Sequence, residues 1–303
     1  MGMPAMSTIQ LKEFARPIVR YAAKHGLKSM ERWLPMAELR QAAAPVLVER
    51  GELSHTLIIA FTGGLNWINF PLFEFFETTQ TLRYSRILLT DQYRMFYHYG
   101  IDWRRRDWPK LLKFLAEQIR QLGPRRVLCI GSSSGGYAAL VAGYFLKADY
   151  VHAFGPQTII RIDPQGIREA MKTRHRRKLA KSKRTFREAL DLVPLLRQPN
   201  DKTKFFVHYC LGHGQDRGFA ERVAGLPTVT TLGYPGDSHG VAAVLAKQRF
   251  LGTLLHHENQ DRIEALARAH FGAAVRIAPA TLQGAKLSRR QSRDVSQLHP
   301  QMP

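Results

Sequence analysis

Three consecutive serines, Ser132, Ser133 and Ser134, lie between glycines in CIGSSSGGYAAL (Cys129 to Leu140), after an apolar run and before an alanine-rich one. A serine hydroxyl becomes a useful nucleophile when the chain holds it out on a tight turn and a neighbouring base takes its proton. A strand-to-helix turn that sharp needs a small residue two positions to each side of its tip, the Gly-x-Ser-x-Gly spacing. Centring the spacing on Ser132 would require glycine at Ile130, and centring it on Ser134 would require glycine at Ser132. Only Ser133 has both, in Gly131 and Gly135, so Ser133 is the candidate nucleophile. The stretch lacks the lysine of a phosphate-binding loop, and its glycines do not follow the dinucleotide spacing. The chemistry expected here therefore calls for neither a cofactor nor a metal.

The base for Ser133 should stand on a loop after the last strand and before a helix, and TLGYPGDSHGVAAVLAK supplies His239 there. His152 and His208 alternate inside apolar strands and read as structural, while His25, His256, His257 and His270 fall on helical surfaces or ends. The imidazole needs an acid to fix its tautomer. Asp216, in LGHGQDRGFAERVAGL, gives the chain order Ser, Asp, His expected when one sheet presents all three groups at its C-terminal edge. Asp237 and Asp163 are competing acids, and Asp216 also reads as a helix N-cap. An oxyanion needs two fixed N–H donors. The amide of Ser134 is one; the loop FTGGLN offers Thr62, Gly63, Gly64 and Leu65 for the other, with Gly64 favoured.

These groups need a frame to hold them. LIIAF (Leu57 to Phe61), RILLT (Arg86 to Thr90), RVLCI (Arg126 to Ile130), YVHAF (Tyr150 to Phe154), FFVHYC (Phe205 to Cys210) and TVTTLGY (Thr228 to Tyr234) read as buried parallel strands. Helical stretches separate them, so the predicted class is α/β, a mostly parallel sheet flanked by helices. WPKLLKFLAEQIRQLG is the clearest crossover helix, with Leu111, Leu112, Phe114, Leu115 and Ile119 on one side and Gly-Pro as its stop. The expected organisation is a helical segment over 1–55, an α/β domain over 56–277 carrying a helical cap insertion over 158–203, and a disordered tail over 278–303.

Charge narrows the partners. The 45 Lys plus Arg against 24 Asp plus Glu give a formal net charge of +21, which favours anionic partners or marks an Arg-rich solvated surface. Within the expected cap, KTRHRRKLAKSKRTFR (Lys172 to Arg187) carries nine Lys or Arg and no acid. Its single aromatic, Phe186, does not give the repeated stacking platforms of a single-strand nucleic-acid binder, so an anionic membrane surface ranks above nucleic acid as a macromolecular partner, and a solvated basic helix above both. No apolar run is long enough to span a bilayer, and Cys129 and Cys210 sit in strand-like runs rather than in a disulfide or metal spacing, so a cytoplasmic location is expected.

With these residues in place, the chain resembles the α/β-hydrolase superfamily over roughly Thr56 to Leu254. GSSSGGYAA matches its nucleophile turn, FTGG stands at its oxyanion loop, and GDSHG carries its terminal histidine. RILLTDQYRMFYHYGI and VHAFGPQT also resemble a bacterial sub-group associated with surface-polysaccharide loci. The resemblance implies Ser-His-Asp acyl chemistry, either as an esterase or as an acyltransferase. The substrate would be a small-molecule or glycan ester, and the charge favours an ester of an acidic glycan or lipid. The chain departs from the superfamily in having Thr62-Gly63 where a His-Gly dipeptide is usual, and in a longer aspartate loop containing His213. The alternative is a non-catalytic protein of the same fold that grips an anionic membrane or nucleic acid through its basic cap.

Overall fold

The computed structural model describes residues 45–63, 82–160 and 178–280. Eight strands form one sheet: β1 (Val46–Glu49), β2 (Leu53–Phe61), β3 (Tyr84–Leu89), β4 (Arg126–Ser132), β5 (Tyr150–Phe154), β6 (Lys204–Cys210), β7 (Val229–Tyr234) and β8 (Arg276–Ala278). Their spatial order is β1-β3-β2-β4-β5-β6-β7-β8. The six strands from β2 to β7 pair in parallel, while β1 and β8 run antiparallel at the two edges.

Each run of strand-like sequence falls on one of the six parallel strands. The edges differ from expectation. The segment expected to be helical over 1–55 contains the strand Val46–Glu49, pairing Val46 with Leu89 and Glu49 with Arg86, and β2 begins within it at Leu53. The Glu49 carboxylate also meets the Arg86 guanidinium. Two β-branched valines and a distant partner strand decide this segment, and local periodicity does not report a distant partner. At the other edge β8 crosses the expected boundary between domain and tail, with Leu232 facing Ile277. Residues 1–44 of the expected helical segment, 161–177 of the expected cap and 281–303 of the expected tail lie outside the described residues.

Successive strand residues point to opposite faces, and both faces are covered, which is why the strands are apolar throughout. On one face Leu57, Ile59 and Phe61 pack with Trp108, Leu111 and Leu115 of α1 (Trp108–Leu122) and with Tyr137 to Ala142 of α2 (Ser134–Leu146). On the other, Ile58, Ala60, Leu128 and Ile130 pack with α5 (Val241–Lys247), α6 (Leu251–Leu255) and α7 (Ile263–Phe271). Between these come α3 (Leu192–Arg197) and α4 (Gly214–Val223). The crossover helix α1 has the ends its sequence signals: the Asp107 carboxylate accepts the Lys110 amide at 3.0 Å, and Gly123 stops it at φ 62°. No helix among the described residues is long and apolar enough to cross a membrane.

This sheet order, with a helix after β4 and loops gathered at the C-terminal edge of the parallel strands, is the α/β-hydrolase architecture.

Candidate active site

Ser133 stands alone between the last residue of β4 and the first of α2, at φ 56° and ψ −121°. A side chain there costs about 1–3 kcal/mol in backbone strain, so its surroundings must hold it. Its N–H donates to the Phe154 carbonyl at 2.8 Å, and its own carbonyl accepts the Tyr137 amide at 3.1 Å. Close approach explains the two glycines. A Cβ on Gly131 would lie 2.1 Å from the Gly135 carbonyl oxygen, and one on Gly135 would lie 2.1 Å from that of Phe61. The three serines separate cleanly. Ser132 Oγ donates to the Phe154 carbonyl at 3.2 Å, Ser133 occupies the tip, and Ser134 opens α2 with one of the first-turn amides that have no acceptor within the helix.

His239 lies on the loop between β7 and α5, and Asp216 is in the first turn of α4 with 1% exposure. Nδ1 of His239 is 2.9 Å from Oδ1 and 2.8 Å from Oδ2 of Asp216. A carboxylate accepts, so Nδ1 carries the proton and Nε2 is left with a lone pair, the tautomer a general base requires. Gly155 is the pivot for this pair. It sits at φ 53°, and a Cβ there would lie 2.9 Å from Asp216 Oδ2 and 3.3 Å from the His239 carbonyl oxygen. It follows Phe154, whose carbonyl holds the Ser133 amide, so the end of β5 gathers all three residues. Of the competing acids, Asp237 is exposed and Asp163 lies outside the described residues.

Two neighbours gain roles here: His213, known from the sequence only as part of the longer aspartate loop, and Gln157, which the sequence does not single out. His213 is the N-cap of α4; its Nδ1 is 3.3 Å from the Asp216 amide nitrogen and 3.1 Å from Asp216 Oδ2. One donor atom each from His213, Asp216 and His239 lie within 4.8 Å of one another, a spacing that would suit a cation. A cation taking Nδ1 of His239 would have to displace the proton that Nδ1 donates to Asp216. Gln157 Nε2 donates to Ser133 Oγ at 3.4 Å, and its Oε1 is buried with no hydrogen-bond partner among the described residues. Its position just beyond the end of β5, at the edge that carries Ser133, is the signal that could have found it.

The loop expected to supply the second oxyanion donor is described as far as Gly63; Gly64 lies outside the described residues. Thr62 is fully buried, its amide donating to the Leu89 carbonyl at 3.0 Å. The Tyr97 hydroxyl lies 3.0 Å from the Thr62 carbonyl and 3.0 Å from that of Leu89, sharing its one proton between them. Tyr97 is itself held by Asp91, whose carboxylate accepts the amides of Tyr93, Met95 and Tyr97 at 3.2, 2.8 and 3.0 Å. Burial pushes the Asp91 carboxyl up to about 6, against those amides, which favour its ionised form.

His152 and His208, read as structural, form a buried ladder with Tyr234 and Gln260. Gln260 Nε2 donates to the carbonyls of Leu254 and His256 at 2.6 and 3.0 Å, so its Oε1 must accept, at 2.7 Å, from His152 Nε2. His152 Nδ1 then accepts from His208 Nε2 at 3.0 Å, and His208 Nδ1 accepts from the Tyr234 hydroxyl at 2.9 Å. Each ring is neutral with one tautomer. Desolvation lowers His152 to about 4 and His208 well below its ordinary value. Cys129 and Cys210 are free, buried thiols; burial pushes Cys210 up to about 11 and Cys129 higher.

No protein-family model matches the sequence, and no curated protein matches it. Solved structures do resemble it. The capsule O-acetyltransferase of Neisseria meningitidis serogroup A is 18% identical, with 68% of this chain and 88% of that one covered and a TM-score of 0.48. An α/β hydrolase enzyme from the metagenome of lagoon sediments at Mar Chica, Morocco, is 14% identical, with 72% and 95% covered and a TM-score of 0.46. Thermogutta terrifontis esterase 2, phosphoramylated by tabun, is 13% identical, with 75% and 89% covered and a TM-score of 0.46. The fold is read from the sheet order and the Ser133 turn, independently of these likenesses.

Proposed function

We propose that this protein is a serine hydrolase of the esterase or acyl-transfer kind, acting through a covalent acyl intermediate on Ser133. The observation that carries the proposal is the backbone of Ser133. A non-glycine residue at φ 56° on a strand-to-helix turn, walled by two glycines that tolerate no Cβ, is a strained position with no structural return. The strain makes sense if the hydroxyl must be presented to a substrate.

In this reading Ser133 Oγ attacks an ester carbonyl while His239 Nε2 takes its proton. Asp216 holds the ring tautomer and stabilises the imidazolium that forms. The amide of Ser134 and a second amide from the loop after β2, assigned to Gly64, receive the oxyanion. His239 then returns the proton to the leaving alkoxide. Water or an acceptor hydroxyl attacks the acyl-Ser133 carbonyl and regenerates the enzyme: water gives an esterase and a sugar hydroxyl gives an acyltransferase. The basic surface favours a substrate ester borne on an acidic glycan or lipid. Ser133→Ala should abolish labelling by a fluorophosphonate probe and turnover of p-nitrophenyl acetate; equal labelling of the variant would remove Ser133 from the mechanism.

A further inference from the structure

Two segments rooted at the edge of the sheet that carries Ser133 meet beside α2. One is the irregular stretch between the end of β3 and Asp107; the other is the described part of the basic run, beginning at Lys178, on the insertion after β5. The Phe186 amide donates to His98 Nδ1 at 3.0 Å, and His98 Nε2 is 3.2 Å from the hydroxyl of Tyr137, one turn into the helix that Ser133 begins. Buried Leu179 and Thr185 anchor the basic segment, which fixes its exposed cations in place.

Those cations collect on aromatic rings. Lys178 Nζ lies 5.0 Å and Arg184 Cζ 5.6 Å from the centre of the Tyr99 ring. Trp103 is 75% exposed, the most exposed large apolar side chain among the described residues, and the Arg104 guanidinium lies 4.8 Å from its ring centre. The acids nearby are already engaged: Asp102 with Arg105, Asp91 and Asp107 with backbone amides, leaving Glu188 as the exposed one. An anion with an apolar face would meet the two cations and cover the exposed indole together.

We propose that Tyr99, Trp103, Arg104, Lys178 and Arg184 form a docking ledge for an acidic glycan chain. The pyranose C–H face would lie on Trp103 and the acidic substituents against Lys178 and Arg184. Besides Trp103 the ledge has exposed Tyr93 with its ring centre 6.2 Å from that of Tyr99, so it offers two open aromatic rings, fewer than the succession on which a single-stranded nucleic acid stacks. It presents no exposed aliphatic cluster for insertion into a bilayer. That the docked chain delivers its ester to Ser133 rests on the proposed acyl chemistry; the docking does not.

The test is titration calorimetry of the full chain with oligogalacturonate, with maltohexaose, a single-stranded oligonucleotide and phosphatidylglycerol vesicles as the other ligands. Oligogalacturonate should bind, losing affinity with added salt. Lys178→Gln with Arg184→Gln should weaken it at least about tenfold, and Trp103→Ala several-fold. Ser133→Ala should bind as the parent does, and the ledge variants should keep fluorophosphonate labelling, so failure of the docking and failure of the catalytic reading give different patterns. Unchanged affinity in the ledge variants, absence of oligogalacturonate binding at low salt, or tighter binding of the oligonucleotide or the vesicles would each overturn the docking proposal.

Discussion

Two groups of histidines in this protein are built from the same imidazole and separated by environment. His152 and His208 lie inside the sheet, fully buried, and hydrogen-bond only to neutral groups: each other, Tyr234 and Gln260. His239 and His213 lie at the sheet's C-terminal edge, partly exposed, with ring centres 5.4 Å apart and both against the buried Asp216 carboxylate. Desolvation without a charged partner keeps the first pair neutral, so those rings serve as fixed donors and acceptors. His239 instead has a carboxylate on Nδ1, the arrangement expected of a general base. The partner, a carboxylate in one group and neutral side chains in the other, is what separates the two groups.

The largest effect should separate the groups outright. His239→Ala should lower kcat/KM by more than about 10⁴-fold with little change in melting temperature, measured by ester turnover and by calorimetry. Asp216→Asn should follow at on the order of 10³–10⁴-fold, because it loses the acceptor that sets the Nδ1–H tautomer. If either variant instead chiefly lowers the melting temperature, the edge pair belongs with the structural ladder.

His208→Phe should show the reverse. It leaves the Tyr234 hydroxyl and His152 Nδ1 without their partner, at about 1–3 kcal/mol for each buried group, while turnover per folded molecule is retained. The ladder also has a pH signature. Both rings have folded-state values below the ordinary 6.5, so the unfolded chain takes up protons first, and their contribution is complete above about 6.5 and is lost as pH falls towards about 4. Asp91 works in the opposite direction: its folded value of about 6 exceeds the ordinary 3.8, so its contribution grows as pH falls through that window. Urea unfolding at pH 7 and pH 5 should therefore show a shallower acid loss in His208→Phe than in the parent.

The smallest effect tests the comparison from within the edge group. His213→Ala should cost less than about threefold in kcat/KM, since Asp216 keeps both contacts to His239 and only an N-cap acceptor is removed. A loss as large as that of His239→Ala would make His213 a working partner of the acid.

The six parallel strands and the Ser133 turn were legible in the sequence because their determinants are local. An apolar β-branched run announces a doubly covered strand, and two glycines flanking a serine at fixed spacing announce a strained turn whose walls are only backbone. β1 and β8 were not legible, since an edge strand of four or three residues acquires its conformation from the neighbour it pairs with. The sequence offered Asp216 with rivals; the fold placed Asp216 against His239 Nδ1, because Gly155 leaves room for the two to meet at the end of β5. Gln157, Tyr97 and the tautomers of the buried ladder were decided only by tertiary structure. Hydrogen-bond direction depends on which donors and acceptors distant segments bring together, and no local pattern of residues encodes that.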